Sequence, residues 1–346
     1  MVSFPDEDFF QLNTYLDELK PSKLFILVDE NTHGHCLPTL LGNLETSLPF
    51  EILEIESGEE MKTLTTAAHL WEILAEFEAD RKALLINLGG GVITDLGGFV
   101  ASTYKRGIKF INIPTTLLAM CDASIGGKTG IDHQFIKNII GTFAAADHVF
   151  VYPDFLKSLP FAELRSGFAE MLKHGLIADE KHWEDLIALP DLEAEQVFPH
   201  IKRSMDIKLE IVEQDFREQN IRKTLNFGHT VGHAIESIHL ESGKPILHGE
   251  AVAAGMICEA WLSANEKIIA PEEANRIIEN IRRFFPPIDL SAFPGEDLVD
   301  LMRKDKKNSR NRINFSLPEK IGRARYDVHI PEENIYHALH YYQNLT

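Results

Sequence analysis

An α/β N-terminal domain followed by a mainly α-helical second domain is the fold this sequence predicts, and three observations carry it. Short β-type runs recur through the first 150 residues, at Leu24–Val28, Ile52–Ile55, Ala83–Leu88, Phe110–Ile113 and His148–Tyr152. Between two of them Leu64, Ala67, Trp71, Leu74 and Phe77 recur at helical spacing. Strand alternating with helix reads as a largely parallel sheet. After Pro153 the pattern lengthens into amphipathic stretches such as Ile201, Met205, Leu209 and Val212, with a weak strand alternation only at Ile313, Phe315 and Leu317. A division at Tyr152-Pro153 is expected, giving an α/β domain over 1–152 and a helical domain over 153–346. The length agrees: 346 residues exceed the roughly 250–300 at which a single core stops growing.

Composition narrows the function. A formal charge of −19 argues against a general nucleic-acid or anionic-membrane partner, because either needs a basic face to meet phosphates. An anionic small molecule would have to be met by local lysines and arginines, and one such cluster stands at Arg303-Lys-Asp-Lys-Lys-Asn-Ser-Arg-Asn-Arg312, although such a run is more often a solvated face. Cys36, Cys121 and Cys258 lie far apart, which fits buried or free thiols in a reducing compartment. The acidic N-terminus and the lack of a long apolar run lead to a cytoplasmic expectation.

Two segments carry chemistry. The glycine cluster Gly89-Gly-Gly-Val-Ile-Thr-Asp-Leu-Gly-Gly98 ends an apolar run and precedes a helical pattern, so its backbone could close on a pyrophosphate at a helix N-terminus. It lacks the Gly-x-Gly-x-x-Gly spacing, and its glycines could equally serve close packing of helix on sheet. The second glycine-rich stretch, Asp122-Ala-Ser-Ile-Gly-Gly-Lys-Thr-Gly130, lacks P-loop spacing, so nucleotide hydrolysis is unsupported. Farther along, Asn226-Phe-Gly-His-Thr-Val-Gly-His-Ala-Ile-Glu236 and Leu247-His-Gly-Glu-Ala-Val252 hold His229, His233 and His248. His229 and His233, four apart, would share a helix face, a common arrangement for two zinc ligands; spacing leaves open which of the three bind. Glu170 could add an oxygen ligand, with Lys173 one turn later, although that pair alone reads as a surface ion bridge.

Taken together, six ordered segments resemble the 3-dehydroquinate synthases, sugar phosphate cyclases of the shikimate pathway: Gly89–Gly98, Pro114-Thr-Thr-Leu-Leu-Ala119, Asp122–Asp132, Leu159–Lys173, Asn226–Glu236 and His248–Met256. The resemblance implies a divalent metal, zinc or cobalt, held by Glu170, His229 and His248, with His233 beside the ligands as a substrate-contacting or proton-relay group. It implies NAD along the first domain, with Glu30 or Asp29 near the adenosine ribose, Glu59 and Lys62 nearby, and Gly90, Gly91, Val92, Ile93, Thr94 and Asp95 at the pyrophosphate. Thr115, Thr116, Lys128, Lys137 and the segment Phe155, Leu156, Lys157 and Ser158 match further nucleotide-site positions. Asp122, Lys128, Asn138, Lys173, Lys208, Arg222 and Asn226 match substrate contacts, joined by Lys306 or Lys307; Arg106 matches a residue that reaches the phosphate pocket of a neighbouring subunit, which implies a homodimer.

The implied activity is a phosphorus–oxygen lyase reaction on 3-deoxy-D-arabino-heptulosonate 7-phosphate: transient oxidation at C5, phosphate elimination, re-reduction, ring opening and intramolecular aldol closure to 3-dehydroquinate. A doubly anionic sugar acid on a chain of charge −19 requires basic residues gathered in one pocket. The departures from the family pattern are modest. Cys121 stands where Val is common, Phe135-Ile136 replaces a Leu-Gly, and about three extra residues precede Leu247-His248. A metal-dependent polyol dehydrogenase resembling glycerol dehydrogenase is the rival reading, opposed by the lysine set, because a neutral polyol needs no such cation density. Cyclases acting on glucose 6-phosphate or sedoheptulose 7-phosphate are nearer alternatives, with Asn138, Arg222 and Asn226 favouring the carboxylate-bearing substrate.

Overall fold

A computed structural model of the chain describes residues 1–4, 9–134, 136–304 and 312–345, the Ile136 side chain excepted. The chain divides into two compact units, Met1–Pro160 and Phe161–Thr346, a few residues beyond the boundary expected at Tyr152-Pro153.

In the first unit β1 (Val2–Ser3), β2 (Leu24–Asp29), β3 (Phe50–Ile55), β4 (Leu84–Gly89), β5 (Lys109–Pro114) and β8 (His148–Phe150) form one sheet in the order β1-β8-β5-β4-β2-β3. Every pairing in it is parallel. Each expected strand run therefore has its strand. All six residues of β4 are buried, which explains why it reads as an unbroken apolar run rather than an alternation. The chain proceeds from β2 outward to β3, then crosses back to β4 on the other side of β2. That reversal is a topological switch point, and ligands of open α/β sheets bind outside the strand carboxyl ends at such a point. The ends that meet there belong to β2, with Asp29, and to β4, with Gly89.

The helix Gly91–Thr103 lies very close to β4. A Cβ on Gly97 would stand 1.9 Å from Asn87 Oδ1, and one on Gly98 2.5 Å from Thr129 Cγ2. The packing role weighed for the glycine cluster thus falls to its second pair. Asn87 is not free to yield, since its amide donates to Asn112 Oδ1 at 2.9 Å inside the core. The helix Leu64–Glu76 forms where the spacing placed it, capped by Thr63, whose hydroxyl accepts from the Thr66 amide at 3.2 Å.

A hairpin in this unit was not expected. The stretch after Ser124, which superficially resembled a phosphate loop, enters an antiparallel hairpin of β6 (Lys128–His133) and β7 (Ile136–Phe143). Gly130 and Gly141 face each other across it, and a Cβ on Gly141 would lie 2.1 Å from the Thr129 carbonyl.

The second unit is helical, with Phe161–Ala178, Glu180–Ile187, Ala194–Gln214, His229–Glu241, His248–Asn265, Pro271–Phe284, Gly295–Lys304 and Glu332–Gln343, plus an antiparallel pair of β9 (Asn314–Lys320) and β10 (Arg323–His329). The weak alternation at Ile313, Phe315 and Leu317 marks β9, and all three side chains are buried. Three helices meet backbone to backbone: a Cβ on Gly255 would stand 1.9 Å from the Gly228 carbonyl oxygen, and one on Gly249 2.0 Å from that of Ser166. Gly249 and Ser166 are also tied by a hydrogen bond from the Gly249 amide to Ser166 Oγ, at 2.9 Å. Among the described residues no helix is long and apolar enough to cross a membrane.

Candidate metal centre and nucleotide turn

The close helix approach in the second unit sets the geometry of its polar cluster. Glu170 projects from Phe161–Ala178, His229 opens His229–Glu241, and His248 opens His248–Asn265. Glu170 Oε1 lies 3.5 Å from His229 Nε2 and 3.6 Å from His248 Nε2. For a tetrahedral ion with bonds of about 2.0–2.2 Å, neighbouring donors stand about 3.3–3.6 Å apart, so these separations leave room for one shared zinc-like ion. One donor atom from each of the three residues lies within 4.8 Å of the others.

Hydrogen bonding supports the same orientation. His229 Nδ1 stands 3.0 Å from the Phe227 carbonyl oxygen; a carbonyl only accepts, so the ring donates there and turns its Nε2 lone pair toward Glu170. His248 Nδ1 faces Glu236 Oε2 at 3.3 Å, again directing Nε2 at Glu170. Burial opposes charge on His248, but Glu236 and Glu170 outweigh it and push the imidazole up to about 9. The other Glu170 oxygen pairs with Lys173. That pair is not the surface bridge its spacing suggested, because Glu170 is 0% and Lys173 1% exposed.

His233 is brought near, its ring centroid 5.1 Å from that of His229 and 6.0 Å from that of His248. It forms a second possible donor group with Glu236 and His248. Arg222, buried, donates from Nη1 to the Phe216 carbonyl at 2.7 Å, in a loop organised by Asp215, whose carboxylate accepts the Gln219, Asn220 and Arg222 amides. Those amide bonds outweigh burial and hold the Asp215 carboxyl below its usual range. Asn226 Nδ2 donates to Glu218 Oε1 at 2.8 Å, and Lys208 is buried on Ala194–Gln214. Lys306 and Lys307 lie outside the described residues. Within the basic cluster Arg303 pairs with Glu332 and Asp300.

In the first unit Asp29 and Gly89 end the two strands of the switch point, and the helices that open at Glu30 and Gly91 come just after them. Gly91 opens its helix with no side-chain cap, and a Cβ there would make only ordinary contact, 3.5 Å from that of Ala123. The amides of that first turn are therefore placed to meet an anion. The Thr115 amide donates to the Gly89 carbonyl at 3.0 Å, and Gly90 lies against Thr116. Asp29 caps the short helix Glu30–His35 through Thr32, leaving exposed Glu30 as the acid at the strand end.

Glu59, Lys62, Asp95 and Lys137 form one ionic chain. Lys62 Nζ stands 2.7 Å from Asp95 and 3.6 Å from Glu59, which meets Lys137 at 3.0 Å. Asp132, accepting the Asn138 amide, sits beside it with its carboxyl raised by burial and Glu59 against the pull of Lys62. Lys128 is exposed on β6. Phe155 and Leu156 are buried, and Phe155 packs edge-on against Tyr152, so this part of the expected nucleotide segment belongs to the core.

Comparison with known proteins supplies the rest. The 3-dehydroquinate synthase N-terminal family matches residues 52–166 and the 3-dehydroquinate synthase C-terminal family residues 167–308. A 3-dehydroquinate synthase of Parabacteroides distasonis is 40% identical over 335 residues, covering 96% of this chain and 95% of the relative. The chain belongs to the 3-dehydroquinate synthase family. Among solved structures, the fold is similar to a 2-epi-5-epi-valiolone synthase from Streptomyces hygroscopicus with NAD+ and Zn2+ bound, at a TM-score of 0.86 and 25% identity over 100% of this chain and 96% of that one. It is also similar to a 2-deoxy-scyllo-inosose synthase complexed with carbaglucose-6-phosphate, NAD+ and Co2+, at a TM-score of 0.85 and 21% identity, over 99% of this chain and 96% of that one.

Sequence reasoning missed Glu236, Glu259 and Asp215. Glu236 stood seven residues after His229, a same-face helical spacing, and could have been found from it. Glu259, 0% exposed, accepts the Gly228 amide at 2.6 Å and the Thr230 and Val231 amides at 3.1 Å, fixing the start of the helix that carries His229. Nothing in an apolar stretch such as Met256-Ile-Cys-Glu-Ala260 announces that role.

Proposed function

We infer that the chain converts 3-deoxy-D-arabino-heptulosonate 7-phosphate to 3-dehydroquinate and phosphate, as a lyase of the shikimate pathway that uses NAD and a divalent zinc or cobalt ion. The observation that carries the reading is the pair of Nε2 atoms 3.5 and 3.6 Å from one Glu170 oxygen, in a chain of this family. The bound ion supplies Lewis acidity to adjacent hydroxyl and carbonyl oxygens of the substrate, and NAD a hydride acceptor and donor at C5.

The residues of the chain bind, orient and move protons. Glu170, His229 and His248 hold the ion. Lys173, buried against Glu170, pairs with that carboxylate and is assigned to the substrate. His233, on the ligand face but outside the ligand set, holds and transfers a proton. Arg222, Asn226 and Lys208 are assigned to substrate, with Arg222 suited to an anionic group through its planar fork. Asp122, Lys128, Asn138 and Lys306 keep the substrate roles of the matching family positions. For NAD, the amides of Gly90 to Asp95 take the pyrophosphate, Glu30 the ribose, and the Asp95–Lys62–Glu59–Lys137 chain fixes the loop beside them. Thr115 and Thr116 flank the Gly89–Gly91 turn, and the Phe155–Ser158 segment keeps the nucleotide role of the matching family positions, with Lys157 paired to Asp154 and Ser158 bonded to the Phe155 carbonyl. The first unit is thus the nucleotide domain and the second the metal domain.

We further assign the protein to the cytoplasm as a homodimer in which Arg106 serves the partner's phosphate pocket. Its backbone supports a projecting role: Lys105, Arg106 and Gly107 take positive φ in succession, at 48°, 66° and 110°, a strained turn that persists only where the surroundings impose it.

One experiment tests both readings. Wild-type protein with the heptulosonate phosphate, NAD and zinc should release phosphate and dehydroquinate, while Arg106→Ala and Lys173→Ala should each be nearly inactive. Mixed under subunit exchange, the two variants should regain part of the activity, because one site of the mixed dimer draws both residues from unmutated positions. A silent wild type overturns the activity; an active wild type with no recovery after verified exchange overturns the dimer role.

A further inference from the structure

His248 stands between two carboxylates, one on each ring nitrogen: Glu170 Oε1 is 3.6 Å from Nε2 and Glu236 Oε2 3.3 Å from Nδ1. Donor proximity alone does not say which carboxylate is the ligand, since His233, Glu236 and His248 also form a group of three donors within 4.8 Å. The remaining contacts separate the two sides. Glu170 Oε1 is shared by His248 Nε2 and His229 Nε2, and the His229 ring is committed at Nδ1 to the Phe227 carbonyl, so both imidazoles turn Nε2 to one oxygen. On the Nδ1 side, His248 finds Glu236.

We infer that Glu236 is a positioning residue for the metal centre, accepting the His248 Nδ1–H and thereby fixing the tautomer and ring orientation that aim Nε2 at the ion. The inference rests on the ligand set proposed above. The two histidines need different support. His229 finds its acceptor in the backbone two residues earlier, so it needs no second side chain. His248 is the first residue of its helix, and its Nδ1 meets no such carbonyl but a carboxylate from a different helix. Glu236 can reach it because it follows His229 by seven residues and His233 by three, on the histidine face of His229–Glu241. With 6% exposure it is also shielded from water that could otherwise take the Nδ1 proton. An ionised acceptor behind an imidazole raises the basicity of the opposite nitrogen as well as holding the ring, so both charge and geometry are expected to matter.

The test is ion affinity, read by chelator competition with zinc and by the visible absorption of the cobalt-loaded protein, without substrate. Glu236→Ala should bind one zinc about 10–100-fold more weakly than wild type, the usual effect of removing an outer-shell partner. Glu236→Gln keeps an acceptor oxygen but not the charge, so its loss should be smaller and its cobalt spectrum should stay close to that of wild type. Folding of the Gln variant, nearly isosteric, is checked by its thermal midpoint and by NAD binding to the other domain. Equal zinc affinity in wild type, Gln and Ala proteins would overturn the inference. So would complete loss of the ion from Glu236→Gln, which would make Glu236 a ligand. A wild type that binds neither zinc nor cobalt would instead defeat the ligand set itself.

Discussion

His229→Ala protein should contain no stoichiometric zinc and show no measurable turnover, whereas His233→Ala should keep its zinc and lose about 10²–10⁴-fold in rate, the range for a positioned proton-transfer group. The difference follows from ring direction. His229 donates at Nδ1 to the Phe227 carbonyl and turns Nε2 to Glu170, while His233 stands one helical turn on, its ring centroid 5.1 Å from that of His229. His229 is the better ligand to delete. Removing Glu170 would also strip the buried Lys173 of its carboxylate partner, a disruption that costs about 3–5 kcal/mol and mixes stability with metal loss. Elemental analysis of the two histidine variants decides the matter: zinc lost equally from both would put His233 in the ligand set.

Gly255→Ala should destabilise the second domain by about 1–3 kcal/mol or more, and it should weaken zinc binding as well. A Cβ at that position would lie 1.9 Å from the Gly228 carbonyl oxygen, and backbone cannot swing aside as a side-chain end can. The strain falls directly before His229 and within the helix that begins at His248, so the two Nε2 atoms would be pushed off their common oxygen. Gly42→Ala is the contrast. Nothing lies within 4 Å of its Cβ position, and the site is exposed in a helix, so alanine there should be neutral or stabilise by about 0.4–1 kcal/mol. Thermal unfolding of the two variants beside wild type checks the pair; a harmless Gly255→Ala would mean that the helix contact is not what holds the histidines together.

Much of this architecture is legible in the sequence, and the rest is hidden for physical reasons. Buried parallel strands such as β4 announce themselves as apolar runs because both faces are covered. The β6–β7 hairpin does not. Its exposed Ile139, Ile140 and Phe143 break any inward-outward alternation, and its glycines serve cross-strand approach, so pairing with a neighbour defines it more than its own residues do. β10 is similarly silent, since no residue in Arg323–His329 is fully buried.

At the metal centre, helical spacing correctly put His229 and His233 on one face but could not tell which ring points at Glu170. That choice lies in what each Nδ1 meets, a backbone carbonyl for His229 and Glu236 for His248, and neither partner is visible in periodicity. The family resemblance chose Glu170 and His248 where spacing left the set open, and the 3.5 and 3.6 Å separations accord with that choice.

The transient use of NAD is tested most directly by the ratio of phosphate released to NAD supplied. With zinc, excess heptulosonate phosphate and NAD limited to the concentration of protein sites, many phosphates should appear per NAD, while the absorbance of NADH rises no further than the sites present, because the hydride taken at C5 is returned in each cycle. NADH that accumulates in step with substrate consumed, with no phosphate released, would contradict it and make the protein a dehydrogenase.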